Sequence, residues 1–140
     1  MINICTYVHM FMFLIEKEFD QRKTGRQMEQ LLDIYKILSD ETRLRMLVLL
    51  YQDNLCVCEM SGILGAPQPR ISKNLSKLRD LSFVTMRRQE KFIFYSLKTD
   101  NKLLQKTIKH IIRDIEAYPQ LVEDKKRLAE KDQYLSQCSV

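Results

Sequence analysis

The residues best able to do chemistry in this chain are its four cysteines, at positions 5, 56, 58 and 138. Cys56 and Cys58 fall together in Leu55-Cys56-Val57-Cys58-Glu59-Met60. Thiolates are soft ligands, and they select soft ions such as trivalent arsenic or antimony, cadmium and monovalent copper. The expected compartment is the reducing cytoplasm, with no membrane partner. Residues 1–15 are apolar but carry neither a basic n-region nor a small-residue cleavage site, and the run from Val8 to Ile15 is too short to span a bilayer. In that compartment paired cysteines more often bind metal or sense redox state than staple a fold. The absence of a second cysteine pair and of a nearby histidine argues against a zinc ribbon; the two histidines are His9 and His110.

A second group of side chains suits nucleic acid. Gln68, Arg70, Ser72, Lys73, Asn74, Ser76 and Lys77 surround the apolar Ile71, Leu75 and Leu78. Arginine, lysine, glutamine and asparagine make the paired hydrogen bonds that read guanine and adenine edges in the major groove. Serines are short donors suited to phosphate. The charge agrees. The chain carries +5 overall, and residues 66–98 hold eight Lys/Arg against two acids, so that segment is +6 and the remainder sums to −1. Basic charge gathered within an apolar-patterned segment points to a polyanion partner; the alternative is a merely solvated basic face.

The elements that must position these groups follow from periodicity. Leu31, Leu32, Tyr35 and Leu38 recur at helical spacing after Met28. Ser39-Asp40-Glu41-Thr42 is a helix start, with a capping side chain and acids in the first turn; Leu44, Leu47, Val48 and Leu50 form its buried face. A short third helix runs from about Cys56 to Leu64. Gly65-Ala66-Pro67 is a turn, and a fourth helix spans about Gln68 to Leu81 with Pro69 in its first turn. After Ser82 the period switches to strands, residues 83–86 and 92–95, with Arg87 to Lys91 as the hairpin tip. From Asn101, the residues Leu104, Ile108, Ile111, Ile112 and Ile115 mark a long amphipathic helix whose wide stripe suits a dimer interface. Pro119 stops or kinks it. The expected organisation is a leader over 1–27, a domain over 28–118 and a charged, helical tail over 119–140. The leader has three open readings: a start placed too early, with Met28 the true start; an added helix on the dimer; or a membrane-surface or other functional segment. The fold class is mainly α with a small β-hairpin wing (α+β), a winged helix-turn-helix dimerising through terminal helices.

Three stretches carry a resemblance: Lys36-Ile37-Leu38-Ser39-Asp40-Glu41-Thr42-Arg43-Leu44, then Leu55 to Met60, then Gln68-Pro69-Arg70-Ile71-Ser72-Lys73-Asn74-Leu75. Together they resemble the arsenic-responsive ArsR/SmtB family of repressors, over about residues 28–98. The resemblance implies a homodimer on an inverted-repeat operator in double-stranded DNA, released when metal binds. Two departures stand out. The family's wing tip often carries glycine where this chain has Arg88-Gln89-Glu90-Lys91, and Ser61 occupies the place where a third cysteine commonly follows the pair. A zinc site used by other family members on the last helix needs histidines where Lys102 and Arg113 stand, and it is rejected; His110 reads as a helix-surface or interface residue rather than a ligand.

The expected DNA contacts are Gln68, Arg70, Ser72, Lys73 and Asn74 on bases or nearby, Lys77 on phosphate, and Arg87 and Arg88 from the wing. The expected inducer ligands are Cys56 and Cys58, with Cys138 a candidate third. No constitutive cofactor is expected, only arsenite, antimonite or another soft ion as inducer. A helix N-terminus favours the thiolate form. Residues i and i+2 of a helix do not share a face, so one ion held by both sulfurs must distort the first turn and couple to the recognition helix. The alternatives are cysteines that only fill core, and a repressor of the same fold whose Cys56/Cys58 pair senses oxidant or persulfide. No glycine-rich phosphate loop and no acid pair in an apolar cleft pattern is present, so an enzyme is not expected.

Overall fold

The computed structural model describes residues 25–138. Expectations about the leader that fall on residues 1–24, Cys5 and His9 among them, lie outside the described residues. Backbone contacts divide the chain into two units, residues 1–36 and 37–140. Residues 25–38 are helical (α1); Met28, Leu32 and Tyr35, spaced i, i+4, i+7, are exposed.

In the second unit α2 (Glu41–Gln52) begins where Asp40 accepts a hydrogen bond from the Arg43 amide at 3.0 Å. Leu47, Val48 and Leu50 are buried as expected, and Met46 and Leu49 are buried too. Leu44 is only half-buried. A helix covered on several sides buries more than one face. Helix α3 (Val57–Leu64) is followed by Gly65 in the left-handed region at φ 64°, the conformation glycine adopts at least cost. The turn is pinned by the Ser61 hydroxyl, which donates to the Ala66 carbonyl at 2.5 Å. Helix α4 (Gln68–Asp80) follows with Pro69 in its first turn and Ile71, Leu75 and Leu78 buried.

The hairpin is longer than expected. Strand β1 (Val84–Gln89) pairs antiparallel with β2 (Phe92–Leu97), Gln89 opposite Phe92. Arg87 and Arg88 are therefore strand residues rather than the tip, because cross-strand pairing continues through them. The tip is Glu90-Lys91, and Glu90 takes φ 56° in place of the glycine. A bridge between Leu55 and Tyr95, with N–O distances of 3.1 and 2.8 Å, ties β2 to the segment just before Cys56.

Helix α5 (Lys102–Arg113) is capped by Asn101, which accepts from the Leu104 amide at 3.0 Å. It buries Leu104 and Ile108, leaves Ile111 and Ile112 half-buried and exposes Leu103. It ends before Pro119, against expectation. A short 3-10 turn (Ile115–Ala117) intervenes, and Pro119 is the first residue of α6 (Pro119–Ala129). Proline at a helix start lacks only an N–H that has no intrahelical partner there. The chain continues through α7 (Asp132–Leu135) and a final 3-10 turn (Ser136–Cys138).

The tail is helical as expected and is part of the core. Leu121 and Asp124 are buried, Asp124 at 1% exposure. Arg45 of α2 donates to both carboxylate oxygens of Asp124 at 2.8 Å each. That hydrogen bond is the largest influence on Arg45 and holds its pKa above the ordinary value. Such a bidentate pair is the strong form of an ion pair. Among the described residues no helix is long and apolar enough to cross a membrane.

Candidate nucleic-acid interface and thiol site

Helices α3 and α4 with the turn at Gly65 form a helix-turn-helix, and the β1–β2 hairpin is its wing. On α4 the spacing of Ile71, Leu75 and Leu78 anchors one face and turns the opposite face outward. Gln68, Arg70, Ser72, Lys73, Ser76 and Lys77 are exposed there, and Arg87 and Arg88 are exposed on β1. Asn74 differs. It is half-buried, its side-chain oxygen accepts from Arg43 Nε at 3.2 Å, and its nitrogen donates to the Arg70 carbonyl at 2.9 Å. Its amide ties α2 to α4. Sequence reading passed over Arg43, whose partner is 31 residues away and carries no periodic signal.

The three described cysteines occupy two settings, a free thiol and a disulfide pair. Cys56 is the N-cap of α3, buried at 3% exposure. Its backbone N–H donates to Glu59 Oε2 at 2.9 Å, while its sulfur faces the Glu59 amide in a capping box. The expected lowering of thiol pKa at a helix start does not hold for Cys56. Burial pushes its thiol up, and the Glu59 carboxylate adds to that, outweighing the backbone N–H groups that favour the thiolate. Cys58 is buried at 4%, inside the first turn. It is joined by a disulfide to Cys138, Cα to Cα 5.7 Å, across 80 residues of sequence. Cys56 remains a free, buried thiol, so the disulfide is not between Cys56 and Cys58. Gln68 Nε2, at the first residue of α4, donates to Cys58 Sγ at 3.5 Å. Among the described residues no group of three or more His, Cys, Asp or Glu side chains is placed to hold a metal ion. Ser61, at the family's third-cysteine position, is engaged with the Ala66 carbonyl. His110 lies on the exposed surface of α5, 3.8 Å from Asp114.

Comparison with known proteins is consistent with this geometry. Residues 40–85 match the family described as "Bacterial regulatory protein, arsR family". The arsenic resistance transcriptional regulator ArsR2 of Pseudomonas putida is 38% identical over 82 residues, covering 54% of this chain and 71% of the relative. The arsenical resistance operon repressor of Escherichia coli is 40% identical over 67 residues, covering 47% of this chain and 57% of that relative. Among solved structures, reduced HlyU from Vibrio cholerae superposes with a TM-score of 0.59 at 25% identity, covering 66% of this chain and 95% of that one. The chain belongs to the ArsR family of bacterial regulatory proteins.

Proposed function

We propose that this protein is a dimeric repressor that holds an inverted-repeat operator and lets go when arsenite, antimonite or another soft ion binds the cysteines gathered at the start of α3. Cys56 and Cys58 are the pair at that helix start, and Cys138, which meets Cys58, is the candidate third. The observation that carries the reading is a short connection. Cys58 accepts a hydrogen bond from Gln68, the first residue of the helix that presents Arg70, Ser72, Lys73 and Lys77 outward. A change in the state of one sulfur therefore reaches the end of α4 that meets bases in a helix-turn-helix. The Pseudomonas putida and Escherichia coli relatives carry arsenic or arsenical resistance in their names. Dimerisation is assigned to α5, where Ile111 and Ile112 are half-buried and Leu103 is exposed in the single chain; it sets two α4 helices roughly 34 Å apart, one DNA turn.

A second reading, thiol-redox control of the same repressor, is favoured by the disulfide from Cys58 to Cys138. One experiment separates the two. Duplex selected by the protein from a random pool is bound under phosphine reductant and titrated with arsenite, antimonite, cadmium and zinc, then with hydrogen peroxide in the absence of reductant. Release by a soft ion under reductant supports the inducer reading. Release by peroxide alone transfers the role to the redox reading, and a protein that selects no duplex removes both.

A further inference from the structure

The C-terminal arm, residues 119–138, lies beyond the 40–85 stretch that matches the family, yet it grips α3 along its length. At the far end of α3, Arg127 Nη1 donates to the Ile63 carbonyl at 3.2 Å, and Arg45, itself held by Asp124, reaches the Leu64 carbonyl at 3.5 Å. In the middle, the Tyr134 ring fills the space above Gly62, where any Cβ would collide with it. Lys131 donates to Asp53 at 2.5 Å, beside the start of α3. Burial disfavours the Lys131 ammonium, but Asp53, then Glu59 and Asp132, outweigh it and hold its pKa above the ordinary value. Cys138 then closes on Cys58.

We infer that Cys58 and Cys138 are a two-sulfur site for thiophilic ions, closed within one protomer by this arm, with Cys56 acting as the helix cap beside it. The inference rests on the inducer reading for its use and assigns the ligands within it. The i and i+2 positions of Cys56 and Cys58 diverge on a helix. Cys138 approaches Cys58 from a separate element, so no turn of α3 need unwind for both sulfurs to hold one atom. The arm's anchors hold Cys138 close at hand, and a ligand prepositioned in this way acts at high effective concentration. Two thiolates suffice for a trivalent arsenical that keeps one carbon or oxygen substituent. With phenylarsine oxide the balance is simple. Both thiol protons leave with the oxide oxygen as one water, two As–S bonds replace the As–O bonding, and arsenic stays trivalent.

The test uses the full chain under phosphine reductant with one equivalent of phenylarsine oxide, read by intact mass and by digestion of the adduct. One phenylarsenic per protomer is expected, linking the peptides that hold Cys58 and Cys138. Removal by a competing small dithiol should become at least about tenfold easier in Cys58→Ser and Cys138→Ser, and change by less than about threefold in Cys56→Ser. Tyr134→Ala, which frees the arm beside Cys138, should give an intermediate loss. An adduct bridging Cys56 and Cys58, or one retained at full strength in Cys138→Ser, overturns the assignment. Duplex binding followed in the same samples keeps the two claims apart: an adduct at Cys58 and Cys138 that leaves duplex bound upholds the site and removes the inducer reading.

Discussion

Helices α3 and α4 are joined by only Gly65, Ala66 and Pro67, yet they meet opposite surroundings. Five of the eight residues of α3 are buried, and an arm from the far end of the chain covers it. Helix α4 buries only Ile71, Leu75 and Leu78 of its thirteen residues and leaves its polar face open. The difference is one of partner. Among the described residues no buried side-chain nitrogen or oxygen lacks a partner, the Glu59 carboxylate included, whereas Arg70, Ser72, Lys73, Ser76 and Lys77 of α4 are exposed. A covered helix thus lies beside an open, basic one, and besides the turn the contact of Gln68 with Cys58 joins them.

The largest way to break this contrast is through Asp124. Its carboxylate is buried and answers Arg45, so Asp124→Ala strands a guanidinium with no buried counter-charge. Removing one partner of a buried pair costs about 3–5 kcal/mol. Arg45 retains some access to water at 14% side-chain exposure, which places the expected loss near the lower end, about 3 kcal/mol. Lys73→Ala, on the open face of α4, should stay within about 0.5 kcal/mol. Urea unfolding at neutral pH measures both. Equal small losses would mean that the arm is no part of the core and that the two helices differ less than their surroundings imply.

Binding should show the reverse order. Arg70→Ala is expected to weaken duplex binding by about 1–3 kcal/mol and to relax base preference where Arg70 pairs with guanine. Arg87→Ala, from the wing, should weaken binding to all duplexes and flatten its dependence on salt, the mark of a phosphate contact. Affinities measured against the selected duplex and a scrambled one, at several salt concentrations, decide it. Identical profiles for the two variants would collapse the division between α4 and wing.

The sequence made the helix-turn-helix legible because its signals are local. Asp40 caps three residues ahead of its donor, Gly65 and Pro69 punctuate neighbouring residues, and Ile71, Leu75 and Leu78 recur at helical spacing. The arm was not legible beyond its helicity. Asp124 reads as one more charge in a charged tail, since nothing nearby says that Arg45, 79 residues away, awaits it. The thiol site was half legible for the same reason. Cys56 and Cys58 announce themselves by adjacency, but Cys138 lies 80 residues from the cysteine it meets. Adjacency also misled on ionisation: a helix start favours thiolate, but burial and Glu59 act on the same sulfur, and neither is visible in the motif. Pro119 reads as a stop or a kink yet starts a helix, because proline is compatible with either side of a helix boundary and only the 3-10 turn at Ile115–Ala117 distinguishes them.

The smallest expected effect lies where the two helices end. Helix α3 finishes on Gly65 at φ 64° and α4 is followed by Ser82 at φ 60°, the same left-handed conformation on a different residue. After α4 the Ser82 amide donates to the Arg79 carbonyl at 2.9 Å and the Phe83 amide to the Leu78 carbonyl at 2.9 Å. These two bonds are the Schellman pattern, which satisfies carbonyls left over at a helix end. Phe83 and Leu78 are both buried, as its accompanying apolar contact requires. The pattern is complete, but its left-handed residue carries a Cβ, which crowds the following carbonyl. Ser82→Gly relieves that crowding, while the added freedom of the unfolded chain offsets part of the gain. The expected result is a net stabilisation of about 0.5–1 kcal/mol in urea unfolding. Gly65→Ser, the mirror substitution after α3, should lose a similar amount, because the open space beside Gly65 leaves only the backbone conformation to oppose a side chain. If both substitutions destabilise, the Ser82 hydroxyl contributes more to the end of α4 than its conformation costs, and the two helix ends are not equivalent.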